Sequence, residues 1–129
     1  GNMAAVGEVV PQAAPDFDFL LGAGSIVLPG LLMGARGAIL AVADAAPGLC
    51  VELYRLFAQG RVEEARKVQE ALIPLNRAVV PVYGIAGLKF ALDRLGYFGG
   101  LPRPPLLPLS DKGRIEIESI LRAMGLNLS

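Results

Sequence analysis

The stretch from Phe19 to Leu40, FLLGAGSIVLPGLLMGARGAIL, limits the possible folds more than any other part of the chain. Its one charge is Arg36, and glycine recurs through it. Three architectures compete for such a run: a membrane span, a nucleotide-binding loop, and two buried strands joined by a short helix. A spanning helix needs ~20 consecutive apolar residues. This window is broken by Gly22, Gly24, Pro29, Gly30 and Gly34, and Asp16, Asp18 and Arg36 bound it, so no span is expected. A dinucleotide loop needs G-x-G-x-x-G; Gly22 and Gly24 fit, but Val27 stands at the third position. No G-K-[ST] triplet is present either, so there is no phosphate-gripping lysine of the P-loop kind. The strand–helix–strand reading remains.

The flanking residues support it. Asn2 is placed to cap a helix from Met3 to Ala13, with Val6, Val9, Val10 and Ala13 on one stripe and Pro11 weakening the last turn. Pro15-Asp16 is a turn, and FDFLL, Phe17 to Leu21, reads as a strand buried on both faces. Ser25 is expected to cap the following helix, IVLPGLLMGA. GAILAVA, Gly37 to Ala43, reads as a second buried strand. Strand, helix and strand with short connections make a βαβ unit with a parallel sheet.

After Asp44 the pattern turns helical. PGLCVELYRLFAQG has Pro47 near its start and Gly60 as its stop. RVEEARKVQEALIPLNRAVVPVY is a long amphipathic helix with Val62, Ala65, Val68, Leu72, Leu75 and Val79 on one face, and Pro74 and Pro81 are expected to kink or end it. GIAGLKFALDRLGYF is a further helix, and GGLPRPPLLPLS a proline-rich extended loop. Ser110 caps the last helix, which Gly125 closes. The chain therefore divides into residues 1–46, holding the two strands, and residues 47–129, a helical region.

Composition narrows the chemistry. Hydrophobic residues make up 53% of the 129 and the mean hydropathy is +0.52, as expected where many residues are buried on every side. Twelve basic residues balance twelve acidic ones, and no aromatic-basic interleaving is present, so a nucleic-acid partner is not expected. The absence of histidine excludes Ser-His and Cys-His pairs and histidine metal ligands from within this chain. The single cysteine, Cys50, allows no internal disulfide and suits a reducing compartment. Residues 1–14 lack the basic and apolar regions of a signal peptide, and the first residue is not methionine, so a piece of a longer chain is expected.

If the two strands belong to a barrel, the loop after each faces the active site. Gly22, Ala23, Gly24 and Ser25 then lie at the mouth of the first strand, and Ile39 to Ala41 near the end of the second. Glycine there serves either close approach of a ligand to the backbone or tight packing, and the sequence leaves both readings open.

The segments GNMAAVGEVV, FLLGAGS, LLMGARGAILAVADAAP and VEEARKVQEALIPLN, in this order over essentially all 129 residues, resemble the C-terminal part of the dihydrodipicolinate synthase and N-acetylneuraminate lyase family. The motifs are individually soft; their full-length colinearity is what makes the match specific. The resemblance implies an α/β fold: strands seven and eight of a TIM (β/α)8 barrel with their helices, then a helical extension. It implies a class I aldolase whose Schiff-base lysine lies a few residues upstream of Gly1, with the tyrosine proton relay and carboxylate-binding loop further upstream. By position, Gly22 matches a glycine lining the substrate pocket, and Ile39 a residue whose backbone faces the bound keto acid. Ala23 and Gly24 stand where the synthase branch often has acidic residues, and GIAGLK where that branch has a PIPVK-type sequence. The first departure speaks against a plain synthase, and the closing segment YGIAGLKFALDRLGYFGGLPRPPLLPLS looks most like the 4-hydroxy-2-oxoglutarate aldolase branch, which cleaves a 4-hydroxy-2-oxo acid to pyruvate and an aldehyde. The alternatives are synthase-type condensation of pyruvate with an aldehyde, and a non-catalytic helical interaction module. No metal or organic cofactor is implied. Pyruvate is the implied small-molecule partner, with no membrane or nucleic acid, in a homo-oligomer (tetramer or dimer) that is cytoplasmic or, alternatively, mitochondrial.

Other reactive residues have plainer readings. Lys89 is read as a helix lysine with its stem on apolar surface and its amine in water, not as an imine former. Lys67 and Lys112 lie in strongly polar stretches and are surface residues. Glu63, Glu64 and Glu70 with Arg61, Arg66 and Lys67 form a solvated mixed-charge face. Cys50 is expected to be buried and inert, Arg36 to be structural, and Tyr83 and Tyr97 to be either packing or supporting groups.

Overall fold

The computed structural model describes residues 1–129. Helix α1, Met3–Val9, starts where Asn2 Oδ1 accepts from the amides of Ala4 at 3.0 Å and Ala5 at 3.4 Å, as its sequence predicts. At Pro11 the α-helix gives way to a 3-10 turn, Val10–Gln12. Strand β1, Leu20–Leu21, then pairs in parallel with β2, Gly37–Ala38, through the register Leu20 to Gly37 and Leu21 to Ala38. Helix α2, Val27–Leu32, connects them.

The two strands are shorter than the sequence suggests. Hydrogen bonding reaches one residue beyond each end, from the Arg36 amide to the Phe19 carbonyl at 2.9 Å and from the Ile39 amide to the Leu21 carbonyl at 2.8 Å. Phe17 and Leu20 are not buried on both faces: they are 60% and 47% exposed, because the pair has no further strand on either side and little covers its outer surface. Nor does the second strand run to Ala43, since residues Val42–Ala45 form a short helix, α3. Val42 and Ala45 from that turn enter the core instead of extending the ladder.

Helices make up the rest: α4, Pro47–Ala58; α5, Val62–Arg77; α6, Gly84–Arg94; and α7, Asp111–Ala123. Pro47 opens α4, and Gly60 leaves it at φ +73°, a conformation glycine adopts at little cost. Ser110 Oγ accepts from the Gly113 amide to cap α7. On α5, Ala65, Leu72 and Leu75 are fully buried, Val68 half-buried, and Val62 exposed at the end of the stripe. Burying each leucine contributes roughly 1.5–3 kcal/mol. Pro74 sits within α5 and Pro81 in the wider turn that follows, Ala78–Val82. Pro81 has no N–H to return to the preceding turn, and the chain closes instead through the Tyr83 amide to the Ala78 carbonyl at 2.8 Å. The ladder thus widens to a π-helical turn and resumes in α6.

The main core lies where α3, α5, α6 and α7 meet, around Val42, Leu72, Leu75, Val79, Ile117 and Leu121. A second cluster places α2 against α4 and α5 through Val27, Leu28, Leu31, Leu53, Leu56 and Ala65. Helix α5 touches both, so it carries the strand–helix–strand unit on one side and the helical region on the other. No helix is long and apolar enough to cross a membrane.

Candidate functional site

The parallel pairing sends both strand ends in one direction, so the segments that follow them sit side by side. Gly22 to Ser25 follows β1, and Ile39 to Ala41 follows β2. The sequence-predicted residues Gly22, Ala23, Gly24, Ser25 and Ile39 therefore share one end of the sheet, but they do not play equal parts there.

Gly22 is exposed, and a Cβ on it would meet no atom within 4 Å. Its φ is not positive, so no conformational requirement explains the glycine. Its N–H and C=O make no hydrogen bond within the chain, and neither does the Ile39 carbonyl. The mouth thus offers backbone donors and acceptors beside open space. Gly24 differs. It is buried, and a Cβ there would lie 2.5 Å from Asn76 Oδ1 and 2.8 Å from Val42 Cγ1. Of the two readings left open for the GAGS stretch, Gly24 fits packing, whereas Gly22 has only the open space that the access reading requires. The Ile39 side chain is 75% exposed.

Ser25 does not cap the next helix, contrary to its sequence-based role. It is exposed, and no local side chain caps either the 3-10 turn Gly24–Ile26 or α2. The cap comes from α5. Gln69 Oε1 accepts from the Leu28 amide at 3.0 Å, while Gln69 Nε2 donates to the Gly24 carbonyl at 2.8 Å. Sequence reasoning missed this residue because its partners lie 41 and 45 positions away. A signal was nonetheless present: Gln69 and Asn76 are polar residues interrupting the apolar side of an amphipathic helix.

A groove of about 460 Å³ lies elsewhere, along β2 and α4 between Leu20, Ala38, Leu40, Cys50, Val51 and Tyr54. Its walls are mostly apolar. Cys50 is half-buried rather than fully buried, and burial pushes its thiol above its ordinary range, toward the inert protonated form.

The other reactive residues fall outside the mouth. Lys89 does not hold its amine in water: on α6 it is half-buried, and Nζ donates to the Gly99 carbonyl. Asp93 Oδ1 accepts from the amides of Gly99 and Gly100, so the lysine and the aspartate together fasten the segment after α6. Lys67 and Lys112 are exposed. On the α5 surface Arg61 pairs with Glu64, and Arg66 with Glu63 and Glu70, all exposed. The hydrogen bond from Arg61 holds the Glu64 carboxyl below its ordinary range, as Arg55 does for Glu52. Arg36 pairs with Asp18 at 2.9 Å across the exposed outside of the β-pair. Tyr83 Oη donates to Glu116 at 2.6 Å and ties α6 to α7, whereas Tyr97 is 61% exposed. No cluster of three metal-ligating side chains forms.

Such a mouth can bind and orient a small polar ligand through its backbone, but it presents no amine of its own. Comparison with known proteins gives the family. The model of the dihydrodipicolinate synthetase family matches residues 1–124. A 4-hydroxy-tetrahydrodipicolinate synthase of Archaeoglobus fulgidus is 32% identical over 126 residues, 98% of this chain and 44% of that protein. The crystal structure of dihydrodipicolinate synthase from Thermotoga maritima superposes with a TM-score of 0.91 at 29% identity, covering 97% of this chain and 43% of that one. A prophage protein of the same family from E. coli K12, solved in complex with pyruvate, superposes with a TM-score of 0.83 at 25% identity, over 97% of this chain and 44% of that one. The chain spans less than half the length of these relatives.

Proposed function

Since this chain belongs to the dihydrodipicolinate synthetase family, we infer that it forms the carboxyl-terminal part of a Schiff-base enzyme acting on pyruvate or a similar 2-oxo acid. The colinear likeness to a 4-hydroxy-tetrahydrodipicolinate synthase over 98% of the chain carries this reading. In the full-length enzyme a lysine upstream of Gly1 condenses with the keto group and releases water. The protonated imine is an electron sink: it acidifies the adjacent C–H, a base outside this chain takes that proton as the C–H electron pair moves toward nitrogen, and the resulting enamine attacks an aldehyde. Within this chain, Gly22 and Ile39 supply the backbone against which the keto acid is oriented, and Gly24 lets α5 pack close beneath them.

The synthase direction, condensation of pyruvate with an aldehyde, is the reading the relatives favour. Cleavage of a 4-hydroxy-2-oxo acid passes through the same imine in reverse. That second reading draws support from Ala23 and Gly24, which put no carboxylate in the loop after β1, and from GIAGLK at the start of α6. Two assays on the full-length protein separate them: consumption of pyruvate with an added aldehyde, and release of pyruvate from a 4-hydroxy-2-oxo acid. Faster turnover in the first supports the synthase reading, faster turnover in the second the aldolase reading, and none in either refutes the proposed activity.

A further inference from the structure

Helix α5 buries Ala65, Leu72 and Leu75, and with them two polar residues, Gln69 and Asn76, the only buried polar side chains of the chain. These two are seven residues apart, two helical turns, and so share a face. Both are 94% buried, each being 6% exposed. Both lie against the segment after β1: Gln69 bonds Gly24 and Leu28, and Asn76 Oδ1 fills the space a Gly24 side chain would need. Burying an amide costs free energy unless it is hydrogen-bonded, and Asn76 Oδ1 has no partner. An apolar residue would fill the Asn76 position more cheaply, so packing alone does not account for that residue.

Gln69 instead uses both ends of its amide. The acceptor satisfies an N–H in the first turn of α2, which no neighbouring residue caps. The donor holds the Gly24 carbonyl, two residues from Gly22. A single side chain thus ties the Gly24 carbonyl to the first turn of α2. Gly22 and Ala23, between the ladder and this clamp, make no backbone hydrogen bond through their amides and so depend on the two flanking anchors for position.

We propose that Gln69 is a positioning residue for the 2-oxo acid: by clamping Gly24 and Leu28 it holds the Gly22–Ala23 backbone at the geometry that receives the substrate. This rests on the family chemistry inferred above. Gln69 itself does not touch the substrate.

The test uses the full-length protein and three variants. Gln69→Met keeps the length and removes both bonds. Gln69→Glu keeps an acceptor for the Leu28 amide but puts oxygen against the Gly24 carbonyl. Leu72→Val destabilises the same helix from the core without touching the loop. Two quantities are read: amide hydrogen exchange over residues 22–28, and the pyruvate concentration giving half-maximal borohydride trapping. Gln69→Met is expected to speed exchange of the Leu28 amide, and both Gln69→Met and Gln69→Glu to raise the half-trapping concentration roughly tenfold, short of the ~100-fold that a 1 Å misplacement can cost. Gln69→Glu alone is expected to keep the Leu28 amide protected. Leu72→Val is expected to stay within about twofold of the unmodified protein, even where its melting temperature falls as far. A half-trapping concentration unchanged in Gln69→Met, or one that tracks melting temperature through all three variants, overturns the proposal. If the unmodified protein traps no pyruvate, the family chemistry fails and the substrate role with it, while the exchange data still report whether the clamp orders the loop.

Discussion

Gly24→Ala is the substitution for which the structure gives the sharpest expectation. The new methyl carbon would stand 2.5 Å from Asn76 Oδ1, 2.8 Å from Val42 Cγ1 and 3.0 Å from Asn76 Cγ. Ordinary carbon contacts are ~3.5–4.0 Å, so Val42 or the loop must retreat by roughly 0.7 Å or more. Neither neighbour yields easily, with Val42 at 0% and Asn76 at 6% exposed. Overpacking of this kind costs about 1–3 kcal/mol. The backbone adds no strain, since φ at Gly24 is not positive, and alanine recovers ~0.4–1 kcal/mol by restricting the unfolded chain. The balance is a loss of about 1–2 kcal/mol. It is read from the midpoint of denaturant unfolding of the intact protein at unchanged slope. In an Asn76→Ala background the same substitution should cost less, because one of the two obstructing side chains is gone. An unchanged or raised midpoint for Gly24→Ala in the native background would refute the packing account of this glycine.

At Gly22 the expectation is reversed. Gly22→Val meets open space at ordinary φ, so melting temperature should change little while pyruvate affinity falls; normal affinity would mean that the mouth has been misplaced. Gly34→Val should do the opposite: φ is +103° and Val10 Cγ1 would lie 3.2 Å from the new Cβ, so a loss on the order of 1–3 kcal/mol is expected with binding intact. The hydrogen bond to Glu116 raises the Tyr83 pKa, so the folded state holds the phenol proton more tightly than the unfolded chain does. Its contribution to stability is therefore complete below the ordinary phenol pKa of ~10 and is lost as pH rises through the raised value. Tyr83→Phe should flatten that part of the unfolding free energy against pH, and an unchanged slope would count against the pairing. The 129-residue chain by itself should associate, because Phe17, Leu20 and Ile39 are exposed beside a two-stranded sheet with open edges. A monodisperse monomer in light scattering at rising concentration would contradict this.

Local chemistry was the legible part of the sequence. Asn2 and Ser110 announce helix starts because a short polar side chain reaches its own helix's first amides, and both do so here. Gly60 and Gly125 announce ends because they take positive φ, and both have it. Pairing of the two strands followed from their spacing around a short helix. Strand length did not follow: GAILAVA is as consistent with a strand as with a short ladder leading into a buried turn, and tertiary packing of Val42 and Ala45 decides for the turn. Phe17 and Leu20 are exposed because the pair has no further strand beside it, and an apolar run does not say what covers it. The Ser25 cap failed for a different reason. A local hydroxyl was available, but Gln69 supplies the acceptor from 41 residues away, and a single sequence holds no record of such a pairing beyond the interrupted stripe. All five residues read as site candidates lie after the strand ends, side by side, as the parallel pairing of the strands requires. The division between Gly22, which leaves space, and Gly24, which fills it, needed coordinates.

The central claim is that this chain completes a Schiff-base site whose amine lies outside it. Incubating the full-length protein with pyruvate and borohydride, then mapping the modified lysine by mass, tests it most directly. The account predicts one stoichiometric adduct on a lysine upstream of Gly1, with Lys67, Lys89 and Lys112 unmodified. Absence of an adduct, or an adduct on Lys89, would contradict it.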